Sequence, residues 1–244
     1  MLDASLLVCC AVFAVAFLYS SVGHAGASGY IAVMALFGWS AQLIRPTALA
    51  LNILVASLGS WQFWRAGYFS WRLFWPFALL SVPLSFVGGY VSLPTPLLKT
   101  LIGAVLLLSA ARLLLRPPPD EDTRAPALPV ALGVGAGLGL LSGLTGTGGG
   151  IFLTPILLLM RWARTKPAAA VSALFILMNS LAGLLGNLSH TRSFPLPALG
   201  LALAALAGGA AGSYLGSTRL SHVAIKRVLA VVLALAGGKL VLGS

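Results

Sequence analysis

The chain is apolar almost from end to end, and in two places the apolar run is broken by glycine. The first break lies in Val22–Met34, VGHAGASGYIAVM, and the second in Gly143–Pro155, GLTGTGGGIFLTP. Glycine inside a helix costs roughly 1 kcal/mol against alanine, so the succession Gly148-Gly149-Gly150 argues against a continuous helix there. In hydrocarbon, backbone groups freed by a break find partners only where the break faces protein or a polar cavity. Two such interruptions at corresponding places are the sequence mark of a transporter's midplane binding site.

Composition sets the solvent. Of 244 residues, 59% are hydrophobic and 8% charged, with a mean hydropathy of +1.01. A soluble domain carries about 25% charged residues. Most of the apolar runs are about as long as one bilayer crossing requires. The chain therefore reads as an integral membrane protein. No stretch is left for a soluble domain, which excludes enzyme chemistry in an appended one. The net charge of +11 comes from basic residues lying between apolar runs, the loop bias of membrane proteins rather than a nucleic-acid surface. Cys9 and Cys10 are adjacent in the first run and read as small hydrophobes, with no disulfide framework and no metal-ligand spacing. No metal or cofactor is expected. Asp3 stands where a secretory leader would carry positive charge, so the first run reads as part of the bundle.

The chain repeats itself. Apolar runs at 5–21, 28–42, 46–64, 73–91 and 97–115 are followed by RPPPDEDTRAPALP, 116–129, which holds five prolines and three of the four acidic residues. That stretch reads as a linker outside the membrane. Runs at 130–142, 148–160, 167–189, 195–216 and 223–242 then restate the pattern. Val22–Met34 aligns with Gly143–Pro155, and Arg45-Pro46 with Lys166-Pro167, each proline read as sitting at a helix start. Further on, Lys99 aligns with Lys226 and Arg112 with Lys239, so the second half carries six extra residues around its third span. The expected organisation is an N-terminal membrane repeat over 1–115, the linker over 116–129 and a C-terminal membrane repeat over 130–244.

Basic residues set the orientation. If each broken segment crossed the membrane once, the two sides would hold eight and seven of them, with no bias. If each goes in and comes back, one side collects Arg65, Arg72, Arg112, Arg116, Arg124, Arg161, Arg164, Lys166, Arg219, Lys226 and Arg227. The other keeps Arg45, Lys99, Arg192 and Lys239. Eleven against four is a positive-inside signal. It places the linker in the cytoplasm and both termini outside. The fold class is all-α integral membrane. Two inverted-topology repeats are expected, each a broken or re-entrant helix hairpin followed by three transmembrane helices, as in many secondary transporters.

A helix starting inside the bilayer presents free N–H groups and the positive end of its dipole, which together bind anions without a charged side chain. Helices are expected to start after Ser28 and after Gly148. The candidate substrate-binding residues are His24, Gly26, Ser28, Gly29, Asn52, Thr145, Thr147, Gly148, Gly149, Gly150 and Asn179. The bland alternative is that the glycines only let helices approach closely. His24 is equally readable as a cap on a broken helix, and the two asparagines as bonds between helices. Trp61, Trp64, Trp71 and Trp75 read as an interfacial belt, and His190 and His222 as loop residues. Every acidic residue, Asp3, Asp120, Glu121 and Asp122, lies in a terminus or the linker, so the carboxylate relay of an ion-coupled pump is missing. The membrane potential favours anion exit by about 2.3 kcal/mol per charge at about 100 mV. Export needs no other drive.

GHAGASGY (23–30) and GLTGTGGGIFLTPIL (143–157), with PTALALN (46–52) and LPTPLLKTLIGAVLLL (93–108), resemble the sulfite exporter (TauE/SafE) family over essentially the whole chain. The first motif departs from a glycine-richer pattern at Ala25, Ala27 and Ser28. The resemblance implies a multi-pass transporter of the cell (inner) membrane, not an enzyme, whose passenger is a sulfur-containing oxyanion or organic sulfonate, often sulfite. The residues alone say small anion. Its partners are then that anion and the lipid bilayer, and the sequence leaves a homodimer open. Two rivals stand beside it. One is a passive anion channel. The other is a rhomboid-like intramembrane serine protease built on Gly26-Ala27-Ser28-Gly29, which would need a histidine within reach of the serine.

Overall fold

The computed structural model describes residues 2–91, 106–107, 110–111, 114–115, 123–192 and 196–242. The span read at 97–115 lies largely outside them, as does 116–122 of the linker. The described residues form helices and no strand. In chain order these are α1 (Leu2–Ser20), α2 (Ala27–Leu36), α3 (Ala41–Arg65), α4 (Trp71–Tyr90), α5 (Leu128–Thr145), α6 (Gly150–Leu159), α7 (Thr165–Thr191), α8 (Pro197–Tyr214) and α9 (His222–Leu242). A π turn, Leu215–Arg219, extends α8. Among the described residues α3, α4, α5, α7 and α8 are long and apolar enough to cross a membrane.

Both expected breaks are present, and at both the chain turns back on itself. Gly29, in the first turn of α2, lies against Val15 and Tyr19 of α1, and the Ser28 hydroxyl donates to Tyr19 Oη at 3.0 Å. Gly149 likewise lies against Ser142 and the Leu138 carbonyl of α5. Each break is therefore the turn of a helical hairpin, a long helix followed by a ten-residue return.

The halves interlock. α5 packs on α4 and α1 on α8; α7 packs on α4 and α3 on α8; α2 lies on α3 and α6 on α7; and α3 meets α7 at the centre. Every one of these pairs has its counterpart with the halves exchanged. Bilayer helices have no hydrophobic drive toward one another, so small residues that admit close backbones decide such seams. Gly135, Gly139 and Gly143 of α5 sit against the carbonyls of Phe77, Ser81 and Ser85 on α4. Gly208, Gly212 and Gly216 sit in the same way against Phe13, Phe17 and Ser21 at the end of α1. Large apolar side chains face outward instead, as at Leu36 and Leu203, which are 85% and 80% exposed.

Running directions follow from the ends. Lys166, at the start of α7, reaches the Tyr68 hydroxyl just past the end of α3, while His190 at the end of α7 meets the Tyr90 ring at the end of α4. Hence α7 runs opposite to α3 and alongside α4. One end of the bundle gathers Arg65, Arg72, Arg161, Arg164, Lys166 and Arg219, with Arg124 joined to Arg161 by a backbone bond of 2.9 Å. The other holds Arg45 and Arg192. The four tryptophans flank the α3–α4 turn and are exposed.

Details differ from the sequence reading. α2 begins at Ala27 and α6 at Gly150, two residues before and one after the expected starts, because Gly26 (φ 107°) and Gly149 (φ 76°) are the N-caps. Pro46 is not at a helix start: α3 begins at Ala41, so the proline sits inside it. α5 begins at Leu128, within the stretch read as linker, with Pro129 in its first turn. Of the six extra residues, five accrue in α7, which ends at Thr191, 25 residues past Lys166, whereas α3 ends at Arg65, 20 past Arg45. His190 and His222 lie in the ends of helices rather than in loops.

Candidate functional site

The hairpin turns are interior. Val22, His24, Ala25 and Gly26 are buried at the first, and Gly146, Gly148, Gly149 and Gly150 at the second. Gly146, Gly148 and Gly149 all have φ between 74° and 78°, a left-handed conformation that L side chains rarely adopt. A helix beginning immediately after three such residues starts with amides that have no acceptor inside the helix. In α6 the first intrahelical bonds come from Phe152 and Leu153, both to the Gly149 carbonyl. In α2 the first comes from Tyr30 to Gly26.

At the second turn the structure brings together Asn52, Thr145, Thr147 and Gly148. Asn52, wholly buried on α3, donates from Nδ2 to the Thr147 carbonyl and to Ser180 Oγ, both at 3.3 Å. A Cβ on Gly148 would lie 2.7 Å from that amide and 2.8 Å from Ser180 Oγ, so glycine is required by space as well as by φ. Thr145 and Thr147 share a hydroxyl bond of 2.9 Å. Two buried polar atoms here lack a partner among the described residues, Asn52 Oδ1 and Ser142 Oγ. Ser142 is wholly buried, its Cβ 3.2 Å from where a Cβ on Gly149 would stand.

His24 carries the first turn to the second hairpin. Its Nε2 lies 2.8 Å from Thr154 Oγ1 on α6, and Thr154 Oγ1 lies 2.7 Å from Ser172 Oγ on α7. Thr154 has one proton, so a consistent assignment runs from His24 Nε2–H to Thr154 to Ser172. That leaves His24 Nδ1 buried and unpartnered.

Levels along α7 order the two turns. Gly23 packs against Ala169, Thr154 against Ser172, Gly150 against Ile176, and Gly148 against Ile176 and Ser180. From Ala169 to Ser180 is about 16 Å at 1.5 Å per residue. The two turns therefore lie at different levels, and the N-termini of α2 and α6 point toward opposite ends of the bundle rather than onto one point. Asn179 stands apart from both turns. Its Oδ1 accepts from Ser81 at 2.6 Å, its Nδ2 donates to the Phe175 carbonyl, and its own carbonyl accepts from Ser85 at 2.8 Å, which binds α7 to α4. Ser28 and Gly29 face back onto α1. Sequence reasoning missed Ser142, Thr154, Ser172 and Ser180. A signal existed in the helical spacing that puts Ser172, Asn179 and Ser180 on α7 about two turns apart.

Arg45 reaches further than a loop residue. Its guanidinium donates to the carbonyls of Val91 (3.2 Å), Gly89 (3.0 Å), Gly88 (2.6 Å) and Gly143, joining the ends of α4 and α5. Lys166, its counterpart in the repeat, donates to the Ser217 carbonyl at 3.4 Å in the π turn and lies 4.8 Å over the Tyr68 ring. A cation is disfavoured at the start of its own helix and favoured at the end of another, and both groups have made that exchange.

A family model described as Sulfite exporter TauE/SafE matches residues 8–240. The probable membrane transporter protein y4hK of Sinorhizobium fredii is 43% identical over 235 residues, covering 94% of this chain and 95% of that protein. No solved structure matches the chain.

Proposed function

The chain belongs to the sulfite exporter TauE/SafE family, and from that premise we propose that it exports a small sulfur-containing anion, sulfite or an organosulfonate, without catalysing a reaction. The observation that carries this reading is the pair of buried helix starts, α2 and α6, whose first amides have no intrahelical acceptor. Beside α6 stand Asn52, Thr145, Thr147 and Ser142; beside α2 stands His24. The four acidic residues of the chain lie in a terminus and the linker, and no carboxylate is among the described partners of the turn residues.

The opposite directions of α3 and α7 support an inverted repeat, with membrane halves over 1–115 and 130–244 joined by the linker 116–129. The basic residues gathered at the Lys166 end support placing that end in the cytoplasm and both termini outside. The two helix starts open to opposite ends, which suits a carrier that presents its site to each side in turn.

The test is flux from proteoliposomes loaded with sulfite, thiosulfate, sulfate, sulfoacetate or taurine, with counterflow measured for each. Saturable counterflow of at least one sulfur oxyanion or sulfonate is expected, and Asn52→Leu should raise its KM. Flux without counterflow would make the protein a channel. No flux of any of the five would refute the reading, and so would an Asn52→Leu variant with unchanged KM. Labelling of Ser28 by a fluorophosphonate would instead favour a protease.

A further inference from the structure

We propose that Arg45 and Lys166 are the two gates of the anion path, one at each end, each releasing its carbonyl partners to take the passing anion. This rests on the transport reading above. The two residues occupy equivalent places in the repeat, and they stand at opposite ends of α3. From Arg45 to Arg65 at the helix end is about 30 Å at 1.5 Å per residue, the thickness of a hydrocarbon core. Each gate is one to two turns from a polar cluster at a hairpin turn. Asn52 follows Arg45 by seven residues, about 10 Å, on the same face of α3. Ser172, which holds the Thr154–His24 pair, follows Lys166 by six residues on α7, about 9 Å.

What the two cations touch makes them suitable. Lys166 is 8% exposed, and its partners are a phenol hydroxyl, an aromatic face and one carbonyl at long range. Arg45 is half-buried among four carbonyls, and its Nε is buried without a partner. Among the described residues no carboxylate is bonded to either cation, and the partners they have there are dipoles and a ring face. A buried charge held only by dipoles gains most from a mobile counter-ion, because the ion replaces weak partners with a full charge. Gly146 ties Arg45 to the second turn: a Cβ there would stand 2.9 Å from Arg45 Cγ. At the Lys166 end a surface pocket lined by Thr123, Arg124, Met160 and Arg161 adds two more cations to the approach. Lys226 on α9 is also buried, but it has its own partner.

The experiment uses the full chain with Cys9→Ala and Cys10→Ala, and then Arg45→Cys or Lys166→Cys, in right-side-out and inverted vesicles. A membrane-impermeant cationic methanethiosulfonate should react with the Lys166→Cys variant from one face only and with Arg45→Cys only from the other. Each variant should raise the KM for sulfite about tenfold or more on its own face, the loss of one charge-assisted bond. The cationic adduct should restore the KM, and an anionic methanethiosulfonate should not. Should a cysteine variant fail to fold, Arg45→Lys and Lys166→Arg keep the charge and should keep a near-normal KM, while Arg45→Gln and Lys166→Gln should not. Reaction of both cysteine variants from the same face would overturn the proposal, as would a KM indifferent to charge. Absence of sulfite, thiosulfate and sulfonate flux in the wild-type chain would instead fall on the transport reading, with the sided labelling still deciding the gates.

Discussion

Replacing Thr154 by valine tests whether the hairpins are joined through His24. The change keeps shape and removes one hydroxyl, which holds His24 Nε2 at 2.8 Å and Ser172 Oγ at 2.7 Å. Hydrogen bonds between helices in a bilayer average about 0.6 kcal/mol, so two of them account for about 1.2 kcal/mol. His24 is 4% exposed, and orphaning its buried ring nitrogen adds about 1–3 kcal/mol. The expected loss is about 2–4 kcal/mol, or about 4–16 °C in melting temperature for a chain of this size. The assay is thermal unfolding in detergent, run as a cycle with His24→Leu. Leucine removes the group that valine would orphan, so the double variant should be more stable than the sum of the singles by about 1 kcal/mol or more. If the two changes add within about 0.5 kcal/mol, Thr154 and His24 are not coupled, and the join between hairpins lies elsewhere.

Within α5, Gly139→Ala should destabilise severely, because its Cβ would strike the Ser81 carbonyl, whereas Gly137→Ala two residues away meets nothing within 4 Å and should be neutral or gain up to about 1 kcal/mol; comparative melting separates them. Gly149→Ala should cost about 1–2 kcal/mol from its φ of 76° together with contacts at 3.0 Å to Phe175 and 3.2 Å to Ser142, and melting with flux measured on the folded fraction would show it. Asn179→Leu should lower the melting temperature through loss of the Ser81 bond while leaving the KM for the transported anion unchanged; a raised KM would put Asn179 on the path after all.

The bilayer makes part of this fold legible. A run of apolar residues in hydrocarbon has few alternatives to a helix, and a pair of glycine breaks at an equal offset in each half has few alternatives to a repeated hairpin. Boundaries therefore fell within a few residues. What one glycine does was not readable, because the same letter serves two ends. Gly143 is there for the Ser85 carbonyl of the neighbouring helix, and Gly149, six residues on, for its positive φ. The reading that glycines let helices approach holds for one, and the reading that they break helices holds for the other. Arg45 and Lys166 looked like loop charges because apolar runs mark the hydrocarbon, while α3 and α7 begin before it. Their carbonyl partners sit 43 to 98 residues away in sequence, beyond any local pattern.

The two turns share a backbone device and differ in their side chains. Under exchange of the halves, His24, Thr154 and Ser172 fall on Thr145, Val33 and Leu51, and Asn52 falls on Ala173. Both turns have glycine caps with positive φ, at Gly26 and at Gly149, and Ser21 and Ser142 are buried serines at equivalent positions, but the other polar residues named around the turns have no counterpart of their own type. A perfectly symmetric pair would hold an anion equally well at each end. Here hydroxyls stand at both turns, but one has an amide beside them and the other an imidazole. Because α5 leans on α4 and α1 on α8, each hairpin is braced by the half to which it does not belong. Any shift between the halves then alters the surroundings of both turns at once. On the transport reading, that bracing couples the two openings, and the chemical difference between the turns makes the anion's affinity depend on which end is open.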